Sequence, residues 1–365
     1  MRGRPKEQKT MLTLKSAEHR IPKNHPLRFI KGFVDSLLDR LSPVFDEIYA
    51  EGGRPSIPPE WLLKASLLMA FYSIRSERLF CEQLSYNLLF QWFLDMEMDE
   101  DAFDHSTFSK NRQRLVEHDI AGEFFHLVVE EGKRLHLMSS EHFTVDGTLI
   151  EAWASLKSFR PKDEKPEDRE PPDDPGNPTV DFHGEKRRNE THESKTDPES
   201  RLARKGKGKE AKLSFAQHVL MENRNGLVVD IRMTQANGFA EREAAVAMMH
   251  ESLPGQRRIT VGADKHYDTK DFVDDCRFRN ITPHVAMNET NRRRSSIDGR
   301  TSRHESYRVS QRIRKKVEEV FGWMKTVGNF RKTRYRGVAK NQMISYFLGA
   351  AYNLVRMTKM LPGET

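Results

Sequence analysis

The tract from Lys212 to Thr234 constrains the fold more than any other part of the chain. KLSFAQHVLME is followed by NRNG and then by LVVDIRMT. Both flanks read as strands, and Asn225-Gly226 between them is the strongest short-range hairpin signal a sequence carries. Two antiparallel strands are expected here, Lys212–Glu222 and Leu227–Thr234.

The flanking segments extend this hairpin into a sheet. Upstream, HFTVDGTLIEAWAS (His142–Ser155) opens with period-two alternation, Phe143 and Val145 against Thr144 and Asp146. It predicts a short strand that ends at Asp146, just before Gly147. Downstream, helices are expected over Glu241–Ser252, Asp268–Arg277, Val309–Val327 and Ile344–Met357. Strands are expected over Ile259–Ala263, ending in Asp264-Lys265, and over Thr282–Met287. A polar, Arg-rich loop spans Asn288–Ser306. Three antiparallel strands followed by alternating helices and strands is the plan of an RNase H-like core, an α/β fold with a mixed sheet flanked by helices. We assign it to residues 139–360.

Before this core, apolar residues recur at helical spacing, which predicts an all-α N-terminal domain over 21–138. Pro43 should stop its first helix, leaving Val44 to Tyr49 as a separate piece. The helix from Phe108 to Leu115 exposes Lys110, Arg112 and Arg114, so helix-turn-helix DNA reading and a plain helical bundle both remain open. Residues 1–20 are basic and expected to be mobile. From 156 to 210 Pro and charged residues dominate, and this stretch is expected to be a largely disordered insertion. Its RKGKGK run could lie along phosphates or be a solvated linker.

Charge and cysteine usage narrow the function classes. The 365 residues carry a formal charge of +7, with 32% charged and 36% hydrophobic residues, which favours a polyanionic partner. Two cysteines, Cys81 and Cys276, with no CxxC, point away from a disulfide framework or a structural zinc site and fit a cytoplasmic, nucleoid-associated protein. No secretory signal or membrane span is expected.

The helix around Glu318 carries spacing information. Counting about 100° per residue from Val317, Ile313, Val320, Phe321 and Met324 fall within about 60° of it, Arg314 at ~60°, Lys325 at ~80°, Glu318 at ~100° and Glu319 at ~200°. Arg314, Lys325 and Glu318 thus line one edge of the buried face. Glu319 and Trp323 point away from it, Glu319 as a solvated residue and Trp323 free to stack on a base or pack against another subunit. Asp146, Asp264 and Glu318 then stand at two strand ends and on the face of a later helix. Blander readings compete: a turn Asp for Asp146, a helix cap or Lys265 ion pair for Asp264, and an ion pair with Arg314 for Glu318. Hard divalent cations prefer carboxylate oxygens, and two ions about 3.5–4 Å apart suit phosphoryl transfer.

TVDGTLIEAWAS, VGADKHYDT and RKKVEEVFGWMKTVGNFRKTRYRG resemble the three catalytic blocks of bacterial insertion-sequence transposases of the DDE class, in the branch called the insertion-sequence-five family. GRPSIPPEWLLKASLLMAFYSIRSERLFCEQL is similar to that branch's helical N-terminal domain. The resemblance covers nearly the whole chain outside 156–210. It implies catalytic, metal-holding roles for Asp146, Asp264 and Glu318, with two Mg²⁺ ions that Mn²⁺ can replace. It implies that hydrolysis at the terminal inverted repeats frees a 3′-OH, which attacks target DNA. The family's Arg and Lys fall on Arg314 and Lys325, which would hold the scissile and flanking phosphates. Lys265, Arg331, Lys332, Arg334 and Arg336 are further DNA-binding candidates. The Tyr expected two residues before the Arg is replaced by Gln311, and Tyr307 could take its place only if the helix starts sooner. Double-stranded DNA and a homodimer or higher assembly are the implied partners. A DNA-binding regulator on a silent scaffold and a nuclease that cuts without joining are the rival readings.

Overall fold

The computed structural model describes residues 16–49, 56–97, 99–162, 188–206, 208–253, 255, 257–289 and 294–361. Helices come first: α1 (Ala17–Arg20), α2 (Pro26–Ile48), α3 (Pro59–Phe71), α4 (Glu77–Leu84), α5 (Leu88–Leu94), α6 (His105–Glu117) and α7 (Ile120–Arg134). Next come β1 (His142–Glu151), β2 (Phe159–Pro161), β3 (His192–Ser194), β4 (Arg201–Ala203), β5 (Lys212–Glu222) and β6 (Val228–Gln235). The chain then alternates through α8 (Ala240–Ser252), β7 (Ile259–Ala263), α9 (Lys270–Phe278) and β8 (Ile281–Val285). It closes with α10 (Gly299–Ser302), α11 (Glu305–Ile313), α12 (Val317–Thr326) and α13 (Val338–Thr358).

The main sheet runs β6-β5-β1-β7-β8, with β4 on the same edge of β5 as β6. β5 is antiparallel to β1 and β6, whereas β7 is parallel to β1 and β8. This is the mixed sheet expected of an RNase H-like core. The hairpin turn is where Asn225-Gly226 predicted it, and Gly226 has φ 70°. The buried carboxylate of Glu222 holds the turn together. It accepts backbone N–H bonds from Ser139 (3.1 Å), Arg224 (2.9 Å), Asn225 (2.9 Å) and Leu227 (3.0 Å).

One apolar cluster joins the N-terminal helices to the sheet. It contains Leu37, Leu63, Phe93 and Phe125 together with Ile150, Phe215, Ile231 and Phe347. Burying side chains of this size contributes about 1.5–3 kcal/mol each. α13 lies at the centre of the cluster, against α7, β6, α3 and α2. Gly349 makes the close approach to α7 feasible, because a Cβ there would stand 2.9 Å from the Phe125 ring. A second cluster, with Val145, Met248, Val261 and Phe272, fills the space between the sheet and α8 and α9.

Several expectations change. α2 runs through Pro43 without stopping, since burial of Leu41 and Phe45 on either side outweighs the missing hydrogen bond. Arg112 and Arg114 do not project freely from α6. Arg112 pairs with Glu77 and lies over the Tyr335 ring, and Arg114 lies over the Tyr49 ring at 4.4 Å. The ends of the 156–210 segment are built into the fold. β2 pairs with β3, buried Phe159 stacks on His192, and β4 pairs with β5. Few apolar residues suffice there because each occupies a pairing position. Residues 163–187 and 1–15, both expected to be mobile, lie outside the described residues.

Candidate active site

β1 does not end at Asp146. It continues to Glu151 along β5, with Asp146 opposite Val219. What ends nearby is the parallel ladder to β7, which spans only His142–Thr144 against Thr260–Gly262. Asp146 therefore stands just beyond that ladder, where Asp264 leaves β7. Its Oδ1 accepts the Gly147 N–H at 2.8 Å. Asp264 caps a single 3-10 turn, Lys265–Tyr267, by accepting from the His266 N–H at 2.7 Å, and its other oxygen lies 3.2 Å from His266 Nδ1. The helix-cap geometry is present, but the side chain beside Asp264 is the His266 ring rather than Lys265.

Both aspartates line a cavity of about 650 Å³, together with Glu241 from the first turn of α8. Burial pushes the Asp146 carboxyl up to about 7, helped by the charges of Asp264 and Glu241, while the Gly147 N–H and Arg314 pull the other way. Burial, and then Asp264, likewise raises Glu241. Arg204 and Lys205, from the basic tract after β4, line the same cavity.

The helix that carries Glu318 begins at Glu305, sooner than expected, and contains a 3-10 turn over Arg314–Lys316. Three residues per turn instead of 3.6 rotate Arg314 about 60° further toward the Val317 face. Its Cβ lies 3.3 Å from where a Cβ of Gly262 would stand, against the ladder between β1 and β7. Gln311 braces it, accepting from Arg314 Nε at 2.9 Å while donating to the His284 carbonyl. Tyr307 falls inside the helix, but its hydroxyl donates to the Val285 carbonyl at 2.9 Å. Further along, Lys325 Nζ donates to Thr148 Oγ1.

Glu318 lies between these two cations on α12, exposed and outside the cavity. The structure thus brings Asp146, Asp264 and Arg314 together and places Glu318 on the adjoining edge. It forms no ion pair with Arg314. Among the described residues no group of three His, Cys, Asp or Glu side chains stands ready to hold a metal ion. Glu319 is not simply solvated, since it pairs with Arg356 of α13 at 3.6 Å. Trp323 packs edge-on against Tyr352 of its own chain, 5.7 Å between centroids, rather than standing free.

Of the other basic candidates, Lys265, Arg331, Lys332, Arg334 and Arg336 are exposed. The segment 331–333 runs beside the end of β1, where Lys332 pairs with Glu151 at 3.0 Å. Glu241 is the residue the sequence did not single out. In an Ala-rich helix it reads as an ordinary acidic first-turn residue.

Lys325 yields a pH prediction. Burial, with Lys205 and Arg331 nearby, lowers its pKa to about 8. Its charge is therefore lost as pH rises through about 8, and a bound phosphate would hold it on. DNA affinity of the wild type should fall more steeply than that of Lys325→Arg between about pH 7 and 9.5, followed by fluorescence anisotropy. Superimposable profiles would remove Lys325 from the DNA-binding face.

Comparison with known proteins gives these features a family. A family model described as a transposase domain (DUF772) matches residues 15–114, and one described as a transposase DDE domain matches residues 179–354, beginning after Asp146. No curated protein matches the chain. Similar solved structures include a piggyBac transposase synaptic complex with hairpin DNA, at 12% identity over 93% of this chain and 77% of that one, with a TM-score of 0.44. The Mos1 strand transfer complex is 12% identical over 78% and 83%, with a TM-score of 0.21. The mixed sheet and the two family matches define a DNA transposase, an enzyme of metal-dependent DNA cleavage and strand transfer. The chain belongs to the insertion-sequence transposases of the DDE class. Among the described residues no helix is long and apolar enough to cross a membrane.

Proposed function

We propose that this transposase, of the insertion-sequence-five branch, cleaves phosphodiester bonds at the terminal inverted repeats of its element and joins the freed 3′-OH to target DNA. The observation that carries the reading is the convergence of Asp146 and Asp264, from neighbouring strands, on one cavity, with the charge of Arg314 acting on Asp146. Asp146, Asp264 and Glu318 are the carboxylates assigned to two Mg²⁺ ions, which Mn²⁺ can replace. The donor set fits such ions: Asp146 and Asp264 offer hard carboxylate oxygens on the wall of one cavity. Bound there, the ions would supply charge stabilisation for the attacking and leaving oxygens.

The chain's own groups do the positioning. Arg314, held by Gln311, offers guanidinium N–H donors to a phosphate beside Asp146. Lys325 offers a second cation beside Thr148, and Lys265, Arg331, Lys332, Arg334 and Arg336 extend the basic surface along flanking DNA. We assign the active form to a dimer or larger assembly on DNA, in the cytoplasm.

The test uses labelled DNA carrying the element's ends, with Mg²⁺ or EDTA. Wild type and Glu319→Gln should cleave and join in Mg²⁺ only. Glu318→Gln should bind DNA normally, with cleavage reduced by on the order of 10³. Normal cleavage by Glu318→Gln would remove Glu318 from the set. Cleavage by wild type without joined products would favour the nuclease.

A further inference from the structure

α8 opens with two glutamates in different surroundings. Glu243 is exposed, whereas Glu241 is half-buried and turned toward β1. A Cβ on Gly147 would stand 2.7 Å from Glu241 Oε1, so any side chain directly after Asp146 would displace this carboxylate. Glu241 shares the cavity with Asp146 and Asp264. A half-buried carboxylate beside two others is costly unless something positive joins them.

A second observation concerns the turn that follows Asp264. Tyr267 closes the 3-10 turn that Asp264 starts, and its side chain is completely buried. Its hydroxyl has no hydrogen-bond partner among the described residues. The charges that act on it are Glu241 first, then Asp146 and Asp264. Burial holds the phenol protonated, so it can serve these carboxylates only as a donor. An unpaired buried hydroxyl under the influence of the Glu241, Asp146 and Asp264 charges is the mark of a group that finds a partner when a ligand draws these side chains in.

We infer that Glu241 is a fourth carboxylate of the cation site and that the Tyr267 hydroxyl is a positioning group for it. The inference rests on the assignment of Asp146 and Asp264 to that site.

The test is Mn²⁺ binding to the full-length protein without DNA, by titration calorimetry, paired with thermal denaturation of the metal-free protein. Glu241→Gln should weaken Mn²⁺ binding by at least about tenfold, and Tyr267→Phe by roughly two- to fivefold. Glu243→Gln should bind as wild type does. Metal-free Glu241→Gln should melt no lower than wild type, because removing a charge from a like-charged cluster relieves repulsion. Two results would overturn the inference: unchanged Mn²⁺ affinity in Glu241→Gln, or a lower melting point with an intact Mn²⁺-induced shift, which would make Glu241 structural. Asp146→Asn separates the levels. If it loses Mn²⁺ while Glu241→Gln keeps it, only the Glu241 assignment fails. If both keep it, the cation reading of the whole cavity fails.

Discussion

Asp146→Asn is expected to abolish cleavage while making the metal-free protein more stable. The activity loss should be on the order of 10³ or more if Asp146 holds the ions as proposed. The gain in stability follows from the raised carboxyl. Its folded value of about 7 lies above the ordinary 3.8, so the fold favours the protonated form. That contribution is complete below about pH 4 and is lost as pH rises through about 7, which amounts to roughly 4 kcal/mol at the upper end. The stability difference between Asp146→Asn and wild type, measured by urea denaturation in EDTA, should therefore grow in the variant's favour from about pH 5 to pH 8. A difference that stays flat with pH would mean that burial, with the neighbouring carboxylates, does not hold the Asp146 proton as described.

Glu222→Ala should have the largest effect on folding. The substitution removes one acceptor set from four backbone N–H groups, those of Ser139, Arg224, Asn225 and Leu227. Leaving two buried and two part-buried donors unpaired should cost on the order of 4 kcal/mol. Glu222→Gln, which keeps one acceptor oxygen, should cost less. Equilibrium unfolding of the two variants beside wild type checks the order, and equal stability of all three would show that water replaces the carboxylate without penalty.

The sheet was legible because its strands announce themselves locally. Strand-like tracts bounded by Asn-Gly and Asp-Lys gave β5, β6 and β7 nearly residue for residue. Asp146 and Asp264 were found as acids at the boundaries of such tracts, although β1 runs on past Asp146 because β5 continues to pair with it. Glu241 stayed hidden because its meaning lies in Gly147, a contact no local pattern encodes. The inward turn of Arg314 was missed for a similar reason. Ideal helical spacing cannot foresee an overwound turn, which packing against Gly262 accompanies. β2 to β4 were masked by composition, since short pairing segments need only a residue or two of apolar character. The contacts of Trp323 and Glu319 with α13 depend on where that helix docks, which the sequence of α12 does not specify.

The placement of α13 has a consequence for synthesis and for damaged genes. The helices near the start of the chain share their apolar interior with a helix that the ribosome delivers more than two hundred residues later. Until α13 emerges, the faces of α2, α3 and α7 that it covers have no lasting cover. A reading frame broken after Gly337 would therefore yield a chain with an open interior at both ends, suited to degradation or aggregation. Truncation of this gene should silence the element rather than leave behind a stable fragment that occupies its ends and blocks intact copies.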